Sequence, residues 1–150
     1  MNDRQIAFIM CVNDDRQADE SEFYIRCLEV PEQYEVDVIR VREAESMTAG
    51  YNAAMENSDA RYKVYLHHDV FIKEPKFIFY LLERFRSAPD VGMIGMVGGC
   101  GMPKTGVAYL AWNEGTVDCR EPDFAYQLIC DPAQQADCPV DAVDGLLIAT

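Results

Sequence analysis

His67, His68 and Asp69 follow directly on Tyr62-Lys63-Val64-Tyr65-Leu66, and their side chains can hold a cation, hydrogen-bond an anion or move a proton. Aspartate supplies a hard oxygen suited to Mg²⁺ or Mn²⁺, whereas imidazole suits Mn²⁺ or zinc. His67-x-Asp69 is therefore a candidate divalent-metal pair. The plainer interpretation is a polar strand end, with a satisfied histidine and a turn aspartate. A zinc hydrolase is a weaker match, because a three-imidazole site needs one more histidine than the two present. Adjacent strand residues also point to opposite faces, so His67 and His68 do not converge on one ion.

Other residues join this list by position. Asn13, Asp14 and Asp15 follow the first apolar run, where a nucleotide base or ribose could be hydrogen-bonded; helix capping accounts for Asp14 or Asp15 equally well. Asn52 falls mid-helix, where asparagine is disfavoured, and so points to a specific hydrogen bond. Asp144-Gly145 is a turn by default. The glycines between Gly92 and Gly101 form neither a dinucleotide nor a P-loop fingerprint.

These groups need elements to position them. Ile6-Ala7-Phe8-Ile9-Met10-Cys11-Val12 is a continuous apolar run, as expected of a parallel strand covered on both faces. A helix follows, with Tyr24, Cys27 and Leu28 on its core side, ended by Pro31. A second strand spans Tyr34 to Val41. Ser46 caps a second helix whose apolar positions are Met47, Tyr51, Ala54 and Met55, and a third strand runs from Tyr62 to His67. Pro75 opens a third helix with Ile78, Leu81, Leu82 and Phe85 inward. Val91 to Val97 is a fourth buried strand. Strand–helix repeated three times predicts an α/β domain with helices on both faces of a mostly parallel sheet. Beyond Gly98 irregular structure is expected, with short strands around Val107–Trp112 and Phe124–Cys130 and a final one at Gly145–Thr150.

Composition excludes several partners. The formal charge of −13 opposes nucleic acid and anionic lipid, both of which rely on Lys and Arg. A phosphate-bearing ligand would need a local cation or a helix N-terminus. At 150 residues, 49% apolar and 26% charged, the chain fits one domain that buries about 68–70% of its unfolded surface. No apolar run approaches the ~18 residues of a membrane span, and the start of the chain lacks a secretory signal, so a cytoplasmic location is expected. The six cysteines form no C-x-x-C pair, and Cys11 and Cys27 read as small core residues with reduced thiols.

Gly50-Tyr51-Asn52-Ala53-Ala54-Met55, followed by Tyr62 to Val70, resembles the glycosyltransferase-like branch of the family 2 glycosyltransferases, of GT-A fold. There a helix with an R-N-x-G or Y-N-x-A element precedes a strand ending in D-x-D; here His67 occupies the first of those three positions. The resemblance extends through Val91–Gly98 and Val143–Leu147. It implies a single GT-A-like, Rossmann-like domain over 1–150, with 1–98 a donor half and 99–150 the loop-rich start of an acceptor half. It also implies a nucleotide-diphospho-sugar donor contacted by Asn13, Asp14, Glu43 (or Glu45), Asn52 and His68. Asp69, with His67, would hold Mn²⁺ or Mg²⁺. Transfer, of the inverting kind, would go to a sugar, lipid or protein acceptor, and Asp144 is the matched candidate for the base. Family members continue past the Asp-Gly strand, so C-terminal truncation is expected. The alternative is an inactive nucleotide-sugar-binding or interaction module on the same fold.

Overall fold

The computed structural model describes residues 1–107, 112–120, 125–129 and 137–150, with 126–129 described by backbone alone. Two compact units result: Met1–Met93 with Ala149–Thr150, and Ile94–Ile148.

The first unit is built on β1 (Asn2–Cys11), β2 (Glu35–Val41) and β3 (Ala60–Leu66), with α1 (Asp15–Arg26), α2 (Met47–Asn57) and α3 (Phe77–Ser87). β1 lies centrally and pairs in parallel with both β2 and β3. Lys63 and Thr150 exchange both backbone hydrogen bonds, at 3.0 and 2.9 Å, which is the pattern of an antiparallel pair. The sheet is therefore mixed and mostly parallel.

Strand alternation assigns the helices to faces. Ile9 is in register with Ile39 and Tyr65, and Ala7, Ile9, Tyr65 and Ala54 of α2 share one cluster with Ile39, Val41 and Tyr51. The even-numbered residues of β1 face the other way. Phe8 meets Phe77 of α3 at 6.3 Å, and Arg40, in register with Met10, pairs with Asp19 and Glu22 of α1. Helices thus cover both faces, and β1 from Ile6 to Met10 is wholly buried between them. This mixed α/β unit is compatible with a GT-A-like fold.

Three helix expectations are corrected in detail. α1 stops at Arg26, and Cys27 is an exposed C-cap whose N–H donates to the Phe23 and Tyr24 carbonyls. Met47 and Met55 are each 45% exposed, because α2 packs through its small residues Gly50 and Ala54 with Tyr51 half-buried. α3 begins at Phe77, two residues after Pro75, and buries Ile78, Leu81 and Leu82, with Phe85 half-buried.

Glu22 ties α1 to β2 through Arg40, and also pairs with Arg26. Burial pushes its carboxyl up, but the two guanidiniums outweigh that and hold it below the usual range. A lowered carboxyl contributes stability that is full above its unfolded value of ~4.3 and is lost as pH falls through its folded value. Glu22→Gln is expected to cost about 1 kcal/mol in urea denaturation at pH 7. The cost should be smaller near pH 3. An equal cost at both pH values would contradict this.

The second unit holds β4 (Ile94–Gly95), β5 (Val97–Gly99), β6 (Glu114–Arg120), β7 (Ala125–Ile129) and β8 (Ala142–Val143); β9 (Leu147–Ala149) leads from it back into the first. An antiparallel sheet runs in the order β7-β6-β5-β8. The single strand expected over Val91–Val97 is corrected to two short ones, with Val91, Met93 and Met96 exposed. Gly92 and Gly95 interrupt the run, and glycine weakens a strand interior. β6 was not anticipated. Of the short strands expected, the one at Phe124–Cys130 corresponds to β7, whereas residues 108–111 of the other, and Phe124 and Cys130 themselves, lie outside the described residues. Among the described residues no helix is long and apolar enough to cross a membrane.

Candidate functional site

The carboxyl ends of β1, β2 and β3 open on one cleft of about 430 Å³ in the first unit. Cys11, Val12 and Asn13 line it from β1. Val41, Glu43 and Ala44 come from β2 and its loop, Ser46, Met47 and Tyr51 from the start of α2, and His67, His68 and Asp69 from the end of β3. A second groove in the same unit, about 410 Å³ and lined by residues such as Val30, Phe79 and Leu82, contains none of the candidate residues.

The His67–Asp69 turn is anchored at both ends. The Tyr51 hydroxyl donates to the Leu66 carbonyl at 2.9 Å, and the buried Ser21 hydroxyl donates to the Val70 carbonyl at 2.7 Å. Between them the Val70 N–H closes the turn on the His67 carbonyl at 3.1 Å. Burial pushes the Tyr51 phenol well above its ordinary value, so it remains a donor throughout the accessible pH range. Its ring meets Tyr65 edge-on at 5.3 Å. A buried tyrosine hydroxyl needs a partner, and here that partner is the carbonyl just before the candidate residues.

The opposite wall is shaped by the loop into α2. Glu43 has φ +54°, a left-handed conformation that costs a non-glycine residue of order 1–3 kcal/mol and clusters at functional sites. The Ser46 side chain accepts from the Ala49 N–H at 3.1 Å and caps α2. No acidic residue occupies the first turn of α2, so its partial positive charge is offered to the cleft. Cys11 donates its thiol to the Met47 carbonyl at 3.6 Å, and burial raises that thiol's pKa.

Asn13, Glu43, His67, His68 and Asp69 are thus brought to one cleft. Asp14 is engaged as the N-cap of α1, accepting from the Arg16 and Gln17 N–H groups at 2.9 and 3.2 Å. Asn52 is exposed and is not among the lining residues, nor is Glu45. Asp144 belongs to the second unit, where its Oδ1 accepts from the Leu146 N–H at 2.9 Å. Sequence reasoning missed Cys11, Val41 and Met47 as lining residues, although the end-of-strand rule already pointed to the first two.

Among the described residues no three His, Cys, Asp or Glu side chains gather as a metal cage. The pair singled out in the sequence offers the exposed Asp69 carboxylate and His67, whose Nε2 is buried without a hydrogen-bond partner. His68 is engaged instead with Gln17 of α1, at 3.1 Å. One or two protein ligands, completed by substrate phosphate oxygens, is a usual way to hold a hard cation, and this donor set fits it.

Fold and cleft together define an α/β domain that takes its ligand at the carboxyl ends of parallel strands. A family model described as "Glycosyltransferase like family" matches residues 7–150, and the chain belongs to that family. Membership implies glycosyl transfer, and a nucleotide-sugar donor, in general terms. The search among curated proteins gave no match.

Proposed function

We propose that this chain binds a nucleotide-diphospho-sugar in the cleft and serves inverting transfer of the sugar to an acceptor hydroxyl, with Mn²⁺ or Mg²⁺ at Asp69. The observation that carries this reading is the gathering of Asn13, Glu43, His67, His68 and Asp69 in one cleft of a glycosyltransferase-like chain. Asn13 and Glu43, at the ends of β1 and β2, provide hydrogen-bonding groups for the base and ribose. The N-terminus of α2 offers backbone N–H groups and positive potential to the phosphates, which offsets the −13 charge of the chain. A cation at Asp69 supplies neutralisation of the leaving diphosphate. Asp144 is the proposed base for the acceptor's proton. The thermal shift with UDP- and GDP-sugars in Mn²⁺ tests the donor assignment. A rise in melting temperature with one of them is expected, and no rise with any would remove it.

Binding without transfer is the second reading. Its support is Asp144, whose carboxylate already accepts a hydrogen bond inside its own turn. That bond holds the carboxylate to its own turn rather than to an acceptor. Release of free sugar or transferred product from a bound donor would exclude this reading.

Tyr51→Phe isolates the support beneath the site. It keeps the ring contact with Tyr65 and removes only the bond to Leu66. A neutral hydrogen bond is worth about 0.5–1.5 kcal/mol, so donor binding by titration calorimetry should weaken by up to ~10-fold. Unchanged affinity would show that the turn does not depend on this hydroxyl.

A further inference from the structure

We infer that His67 sets the cation choice of the cleft, making it favour Mn²⁺ over Mg²⁺; this rests on the donor reading above. The alternation of β3 carries the first step. Tyr65 is in register with Ile9 on the α2 side of the sheet, and His67 lies two residues further on. His68, the next residue, is hydrogen-bonded to Gln17 of α1 on the other face. Only one of the two imidazoles therefore remains uncommitted beside Asp69.

The state of His67 carries the second step. Its Nε2 is the one buried side-chain nitrogen or oxygen among the described residues without a hydrogen-bond partner. Leaving a polar atom buried and unpaired costs about 1–3 kcal/mol, and such an atom calls for a specific explanation, a bound ion among them. Neighbouring polar groups do not provide one. The Tyr51 hydroxyl is bonded to the Leu66 carbonyl and the Cys11 thiol to the Met47 carbonyl. The ring as a whole is part-buried and lines the cleft, so ligation calls for a turn of the imidazole about its own bonds.

Ligand chemistry then decides between the cations. A carboxylate such as Asp69 serves Mg²⁺ and Mn²⁺ alike. Mg²⁺ takes oxygen ligands and dehydrates reluctantly, whereas later divalent metals accept imidazole. A nitrogen at this position adds binding energy for Mn²⁺ that Mg²⁺ does not gain. A carboxylate there would add it for both.

Calorimetric titration of UDP and of GDP in excess Mn²⁺ or Mg²⁺ tests this on the wild-type chain and on His67→Asp. Each Mn²⁺:Mg²⁺ affinity ratio is taken relative to that of the nucleotide and cation alone. The wild type should show a ratio of ~10 or more, equivalent to ~1.4 kcal/mol, and His67→Asp a ratio near one. In parallel, Mn²⁺ added to chain with labelled histidines should broaden the His67 ring signals at lower concentration than those of His68. Equal ratios in wild type and variant, or no selective broadening of His67, would overturn the inference while leaving the donor reading intact. Selective broadening of His67 without nucleotide binding would uphold the metal role and remove the donor reading. Where His67→Asp does not fold, the broadening in the wild type decides.

Discussion

Asp69→Asn is expected to weaken cation-dependent binding of UDP or GDP by ~100-fold or more, with the melting temperature held within ~3 °C. Both halves follow from position. Asp69 is exposed on the turn after β3 and lines the cleft, so it supports no core. Exposed substitutions of this kind fall within about ±0.5 kcal/mol, which is a shift of at most ~3 °C. The amide keeps the shape of the side chain but removes the charge that a hard cation requires. Losing about 3 kcal/mol of cation-mediated binding corresponds to more than 100-fold. Calorimetric titration with Mn²⁺, and again with chelator, measures both states. If the variant bound as tightly as wild type in Mn²⁺, the cation would have to be held elsewhere.

Gly50→Ala is expected to destabilise the chain by up to about 2 kcal/mol, the opposite sign to the usual effect in a helix. In an open helix interior the change gains ~1 kcal/mol in propensity. At Gly50 the added Cβ would stand 2.7 Å from Cys11 Sγ, 3.0 Å from Ala44 Cβ and 3.1 Å from Val41 Cγ1. All three belong to short side chains with little room to yield, and overpacking of this kind costs ~1–3 kcal/mol. Relief requires α2 to move away from the ends of β1 and β2. Because Ser46, Met47 and Tyr51 on or beside that helix line the cleft, ligand affinity should fall along with stability. Urea denaturation and nucleotide titration check the two effects. A stabilised variant would show that α2 does not pack as closely as described.

What the sequence made legible was local or periodic. β1 could be read because an apolar run covered on both faces looks the same in sequence and structure. Asp14 and Ser46 could be read as caps because capping involves residues two or three positions away. The His67–Asp69 turn stood out because chemistry follows strand ends. The anchors of that turn were illegible for the converse reason. Ser21 bonds a carbonyl 49 residues away and Tyr51 one 15 residues away, with no pattern linking either pair.

α2 misled through its methionines, since apolar type suggested a core face while the small residues Gly50 and Ala54 made the closest approach. β6 was readable and missed. Thr116, Asp118 and Arg120 are exposed while Val117 and Cys119 are half-buried, a period of two. Its start is obscured by Gly115, at φ +101°, where a Cβ would lie 2.1 Å from the Met96 carbonyl oxygen.

Hydrogen exchange of the chain with and without UDP or GDP in Mn²⁺ tests the central claim most directly. A donor held at the strand ends should protect amides around Cys11–Asn13, Val41–Met47 and Leu66–Val70. Protection confined to the Val30–Gln33 and Phe79–Arg86 groove, or none at saturating nucleotide, would contradict a donor site at His67, His68 and Asp69.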